Sequence, residues 1–123
     1  MKNDRDNFRS EFKCRIYCWI IRLIKFLDDL SKDTITQRIV DQLFRSGSSI
    51  GANYVEAQAS SSKKDFTNFF HYALKSANES KFWLILLRDI KRADSQKTEE
   101  LLKELVEIAN ILASSLITIK SRK

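Results

Sequence analysis

The sequence has no proline, two glycines and one histidine. Turns draw heavily on proline and glycine, so turns must be few and the chain reads as long helices with short connections. Four helices of ~25 residues would each be ~35–40 Å long. The lone histidine argues against a di-metal carboxylate site, which in a helical bundle needs a Glu-x-x-His pair on each of two helices. His71 has no glutamate three residues before it, and it is expected on an outer face. Cysteine is scarce too. Cys14 and Cys18 stand four apart, which is neither a disulfide framework nor a CxxC metal knuckle. No histidine lies near them in sequence to activate a thiolate. GSSIG (47–51) lacks the lysine and the strand of a phosphate-binding loop.

Long apolar runs are also missing. CWIIRLIKFL is interrupted by Arg22 and Lys25 and is too short to cross a bilayer. The start, MKNDRDNFRSEFK, is too charged for a signal peptide. Together these absences point to a reduced, cytoplasmic protein with no membrane segment, no metal, no cofactor and no catalytic centre.

What is present is apolar periodicity. With 123 residues there is room for one domain, and 43% hydrophobic content is enough to fill its core. The first segment, about 8–30, places Phe12, Ile16, Trp19, Ile20, Leu23, Leu27 and Leu30 at three- and four-residue steps. The second, about 35–59, opens on a Thr34–Gln37 pair resembling a capping box. It continues through Ile39, Leu43, Ser46, Ile50, Asn53 or Tyr54, and Ala57. The third, about 63–91, has Ser62 as cap and Asp65 in its first turn. Its inner stripe is Phe66, Phe70, Ala73, Ala77, Ser80, Leu84 and Leu87. The fourth, about 96–120, follows a Ser95 cap with Leu101, Leu105, Ile108, Leu112, Leu116 and Ile119. Four amphipathic segments with short connections predict an all-α, antiparallel up-down-up-down four-helix bundle.

Both glycines fall inside the second segment, in RSGSSIGANYVEAQ, where the helical period does not break. Each costs a helix about 1 kcal/mol, so close approach of another backbone is the expected return. Folding helices two and three back on each other near Ser61 and Ser62 brings Gly47 near Ser76, Ile50 near Ala73, Asn53 near Phe70 and Ala57 near Phe66. This predicts a tight seam between helices two and three. Asn53 is expected to be a buried amide that fixes register, flanked by Glu56; a ligand contact is the other reading. Glu56 and Glu79 are too far apart in this register to act as an acid/base pair.

Ser49-Ile50, Asn53-Tyr54-Val55-Glu56, a polar turn, Lys64-Asp65-Phe66, and Ala73 through Ser76 to Glu79 form an ordered set. The set resembles the bacterial four helix bundle protein family, encoded in intervening sequences of large-subunit ribosomal RNA genes. It is also similar to the accessory variability determinant of diversity-generating retroelements. The family pattern runs Ser-Ile, Asn-Ile-Ala-Glu-Gly, Asp-Phe, Ala-x-Gly-Ser-x-x-Glu. Ser49, Asn53, Glu56, Ser76 and Glu79 match, while Tyr54-Val55 replace Ile-Ala and Ala57 and Lys75 replace glycines. The resemblance implies a barrel-like homopentamer. In the retroelement branch it implies a basic surface whose partners are RNA or DNA and a reverse transcriptase.

Assembly is also expected from the residues themselves. Tyr17, Ile21 and Ile24 lie beside the inner stripe of helix one, Phe82 and Leu86 point away from it on helix three, and Leu102, Val106 and Ile117 form a second ridge on helix four. Left bare, they would exceed what a soluble monomer exposes, so a homo-oligomer is predicted. The charge of +6 favours an anionic partner, nucleic acid above all, although it also lies within the ordinary range for solubility. The candidate phosphate contacts are Arg15, Arg22 and Lys25; Lys63 and Lys64; and Arg88, Lys91 and Arg92, with Lys120, Arg122 and Lys123 in support. Two readings follow: a non-enzymatic oligomer that binds nucleic acid or a nucleic-acid enzyme, or an oligomeric scaffold for a protein partner.

Overall fold

The computed structural model describes residues 4–122, without the side chains of Arg5 and Asp6. These residues form four α-helices: α1 (Asp4–Asp28), α2 (Thr34–Ala59), α3 (Lys63–Asp89) and α4 (Ser95–Ser121). Each helix packs on two neighbours. α2 lies against α1 and α3, and α4 against α3 and α1, with no diagonal contact. This is the antiparallel up-down bundle that the periodicity predicts.

The inner stripes meet along the bundle axis. Trp19, Leu23, Leu43, Ile50, Leu84, Leu105 and Ile108 are fully enclosed. One open choice is settled and two positions differ from expectation. Tyr54, not Asn53, fills the inner site of α2; its ring sits edge-on to Phe12 at 5.1 Å and to Phe70 at 5.7 Å. Asn53 is half-buried and donates from Nδ2 to the Ser49 carbonyl of its own helix at 2.9 Å, so it fixes no interhelix register. Leu102, expected on an outer ridge, is buried in the core.

The small residues divide their work differently from the predicted seam. Between α2 and α3, Ala73 and Ala77 are fully buried and the Ser46 and Ser80 hydroxyls meet at 2.8 Å. The glycines face the other neighbour. A Cβ at Gly47 would come within 2.4 Å of Leu23 and 3.3 Å of Trp19, and one at Gly51 within 2.9 Å of Ile20. They are the clearance through which α1 docks on α2.

The caps sit one residue earlier than predicted at two helices. Asp33, not Thr34, accepts from Thr36 N, and Asp94, not Ser95, accepts from Lys97 N. Ser62 caps α3 as expected. α3 ends two residues short of the predicted 91, in a Schellman turn: Lys91 N bonds to Arg88 O and Arg92 N to Leu87 O, both at 3.0 Å. Lys91 adopts φ 60, a left-handed conformation usually given to glycine.

Asp33 does more than cap. It also receives the Thr36 hydroxyl at 2.9 Å and Arg92 Nη1 at 2.8 Å, tying the α1–α2 turn to the α3–α4 turn. The Ser31 hydroxyl, then the Thr36 amide and hydroxyl, then the charge of Arg92 hold its carboxyl well below the usual range. A depressed carboxylate contributes stability above its unfolded pKa and loses it as pH falls toward the folded value. Asp33→Asn keeps a capping side chain but removes this titration. Its melting temperature should therefore fall less steeply than wild type between neutral pH and pH 3, as thermal melts followed by circular dichroism would read.

Candidate nucleic-acid interface

The eight predicted cations do not form one surface. Arg15 grips Glu104 through two bonds, Nε at 2.9 Å and Nη2 at 2.7 Å, and reaches Glu107 at 3.5 Å, joining α1 to α4. The Glu104 hydrogen bond raises the arginine pKa, and Arg15 in turn lowers that of Glu104. Arg88 bonds Glu99 at 2.5 Å and Asp89 at 3.0 Å, joining α3 to α4. Arg92 is held by Asp33. These three hold carboxylates of the chain, where the sequence reading has them as candidate phosphate contacts. Arg22, Lys25, Lys64 and Lys91 are exposed and carry no ion pair among the described residues.

The topology separates the remainder. Lys91 lies at the end of the bundle holding the α1–α2 and α3–α4 turns, with Lys25 in the last turn of α1. Lys63, Lys64, Lys120 and Arg122 lie at the opposite end, about 40 Å away by helix rise. There the Lys63 ammonium donates to the Arg122 carbonyl. Lys123 lies outside the described residues.

This second end also opens into a groove of 520 Å³ that sequence reasoning missed. Tyr54, Phe66 and Phe70 form its floor, with Phe66 and Phe70 at 4.8 Å between ring centres. Asn110, Ser114, Ser115 and Thr118 of α4 form a polar wall, and Phe8, Arg9 and Arg122 its rim. A second cleft of 360 Å³ runs on from it past Ser60–Ser62 to Lys63, sharing Arg9, Phe66, Ile119 and Arg122. Among the described residues no acidic side chain lines either one. The Tyr54 hydroxyl donates to the Arg9 carbonyl at a long 3.5 Å, and burial pushes its pKa up. One sequence signal was available: α4 has no charged residue from Ile108 to Ile119, although only one of its faces enters the core.

Exposed apolar residues gather on two opposite sides. Tyr17 (66% exposed), Ile21 and Ile24 of α1 lie alongside Phe44 and Val55 of α2. Here Tyr17, Ile20, Gly51 and Val55 line a shallow depression of 420 Å³. On the far side, Phe82 (58%) and Ile85 of α3 accompany Val106 and Ile117 (72%) of α4. Leu86 is half-buried against the core rather than turned outward.

The motif residues bond mostly within their own helices, as Asn53 does to the Ser49 carbonyl. Ser49 bonds back to Arg45 O, Ser76 O receives the Ser80 hydroxyl, and Glu56 is exposed. Glu79 alone among them crosses to another helix, taking Arg45 at 3.3 Å and, within α3, Trp83 Nε1 at 3.1 Å. His71 is half-buried, and both cysteines are exposed. Among the described residues no cluster of His, Cys, Asp and Glu is suited to a metal ion. No helix there is long and apolar enough to cross a membrane.

A family model described as 23S rRNA-intervening sequence protein matches residues 15–114, most of the chain. The chain belongs to this family. It is similar to a crystal structure, at 1.70 Å, of a protein of unknown function in the S23 ribosomal protein family from Bacteroides thetaiotaomicron VPI-5482. That comparison gives 32% identity and a TM-score of 0.79, over 88% of this chain and 96% of the other. A comparison with curated proteins found no match. The family match takes in the whole Ser49–Glu79 motif set. It leaves out Phe8, Arg9 and Arg122 of the groove's rim and Ser115 and Thr118 of its wall.

Proposed function

We propose that this chain catalyses no reaction and works as an oligomeric bundle that binds nucleic acid, as an accessory to a nucleic-acid enzyme such as a reverse transcriptase. The observation that carries this reading is the pair of unlike apolar faces on opposite sides of one basic bundle. A face on α1 and α2 that meets a different face on α3 and α4 makes a head-to-tail contact, and such contacts form a ring where the rotation between subunits closes. The family resemblance puts the ring at five subunits. Repeating a charge of +6 around it multiplies the field that draws in phosphates. The commitment of Arg15, Arg88 and Arg92 to carboxylates supports a second reading, a ring that docks a protein and uses its charge for solubility.

Multi-angle light scattering, with and without a structured RNA or duplex DNA at low salt, separates the two. A ring that gains nucleic-acid mass and releases it as salt rises supports the first reading. A ring indifferent to nucleic acid supports the second, and a monomer at micromolar concentration defeats both. Tyr17→Asp with Ile21→Asp should weaken assembly by roughly 2 kcal/mol or more, since apolar anchors dominate such interfaces. The same measurement should then show a shift to smaller species, with the helical content unchanged.

A further inference from the structure

We infer that the groove between the start of α1 and the end of α4 holds one nucleotide of a single-stranded nucleic acid, its base against the aromatic floor and its phosphate on the rim cations. The inference rests on the nucleic-acid reading above and gives it an address. Three features converge on this ligand. Flat apolar surface is supplied by Phe66, half-buried, and Phe8, half-exposed, above the buried Phe70, and base–aromatic stacking needs no particular sequence. Hydrogen-bonding groups line it mainly from α4, the Asn110 amide and the Ser114, Ser115 and Thr118 hydroxyls, with the Gln58 amide across from them on α2. They suit the polar edge of a base and would be left unpaired by a lipid tail or an apolar helix.

Charge is the third feature. Arg9 and Arg122 rim the groove and Lys63 lines the cleft that continues it, with no carboxylate in either lining among the described residues. A phosphate placed there meets Arg9, Arg122 and Lys63, and the bond from Lys63 to the Arg122 carbonyl keeps that ammonium at the rim. The 520 Å³ volume lies within the range of small-ligand sites, about 300–1,000 Å³. A duplex hides the faces of its bases, so this groove selects unpaired strands.

The test uses the full chain and fluorescein-labelled 12-mers of uridine and thymidine, with a 12-base-pair duplex, read by anisotropy at low salt. Phe8→Ala should weaken single-strand binding roughly 10-fold. Arg9→Gln with Arg122→Gln should flatten the salt dependence by about 0.7 in log–log slope per lost phosphate contact. A 5-iodouridine strand should photocrosslink at Phe8 or Phe66, a readout that needs no variant to fold. If strands bind but these variants match wild type and crosslinks map to the Arg22–Lys25 surface, the groove assignment falls while nucleic-acid binding stands. If neither strands nor duplex bind wild type at low salt, both fall.

Discussion

Trp19→Ala is expected to lower stability by about 3–5 kcal/mol, the range for emptying a buried aromatic site. Trp19 is fully buried and lies where α1 meets two neighbours. Its indole Nε1 donates to the Leu101 carbonyl of α4 at 3.0 Å, and its ring lies 3.3 Å from where a Cβ on Gly47 of α2 would stand. Truncation therefore removes apolar contact with α2 and the hydrogen bond to α4 together. Trp19→Phe keeps most of the volume and loses the bond, a cost of about 1 kcal/mol plus a smaller void. The order wild type, Phe, Ala in urea midpoint is the expected result. For a domain of this size the alanine variant should melt roughly 10–20 °C lower. Amide exchange would locate the damage: α1 should lose protection before α2 and α3, because Trp19 is its bond to α4. An alanine variant within about 1 kcal/mol of wild type would mean that α1 is held by its ion pair at Arg15 rather than by packing.

The parts of this fold legible in sequence are those set by periodicity within one helix. Phe12, Ile16, Leu23 and Leu27 follow one period and one face, and all four are buried. Choices between adjacent positions were less legible. Asn53 and Tyr54 stand 100° apart on the helix, so either fits the edge of the stripe; the tyrosine wins because its ring fills the gap between Phe12 and Phe70. Asp33-Thr34 and Asp94-Ser95 each pair two good capping residues, and only backbone geometry selects between them. Leu102 belongs to the core because α4 is buried over a wider arc than one stripe.

Features made by several helices were hidden for a different reason. A hairpin argument sees α2 and α3 as partners, so it assigned the glycines to that seam. The bundle also sets α1 against α2, and that contact is where the clearance is needed. The cations on α1 and α3 looked free because their carboxylate partners, Glu104 and Glu99, are on α4. The groove draws on all four helices, taking Phe8 from α1, Tyr54 from α2, Phe66 from α3 and Ser115 from α4. Nothing in the spacing within any single helix brings these together.

Gly47→Val is expected to cost about 3 kcal/mol, the upper part of the usual range for overpacking. The clash begins at Cβ, 2.4 Å from Leu23 Cδ2. Leu23 is fully buried and Trp19 stands beside it, so neither can swing into solvent. Gly47→Ala meets the same clash with less volume. It also gains about 1 kcal/mol of helix propensity, so it should be destabilised by only about 1–2 kcal/mol. Gly51→Ala is the control: its close neighbour is the tip of Ile20, which is half-buried and can move, so the propensity gain should leave it neutral or slightly stabilised. The deciding measurement is a double-mutant cycle. Leu23→Ala alone should cost about 2–5 kcal/mol by its cavity, but it also removes the atom that the new Cβ strikes. Gly47→Ala combined with Leu23→Ala should therefore be more stable than the sum of the single effects by about 1 kcal/mol or more. Additive costs would show that the glycine is not there to let α1 approach, and the close packing of α1 on α2 would need another explanation.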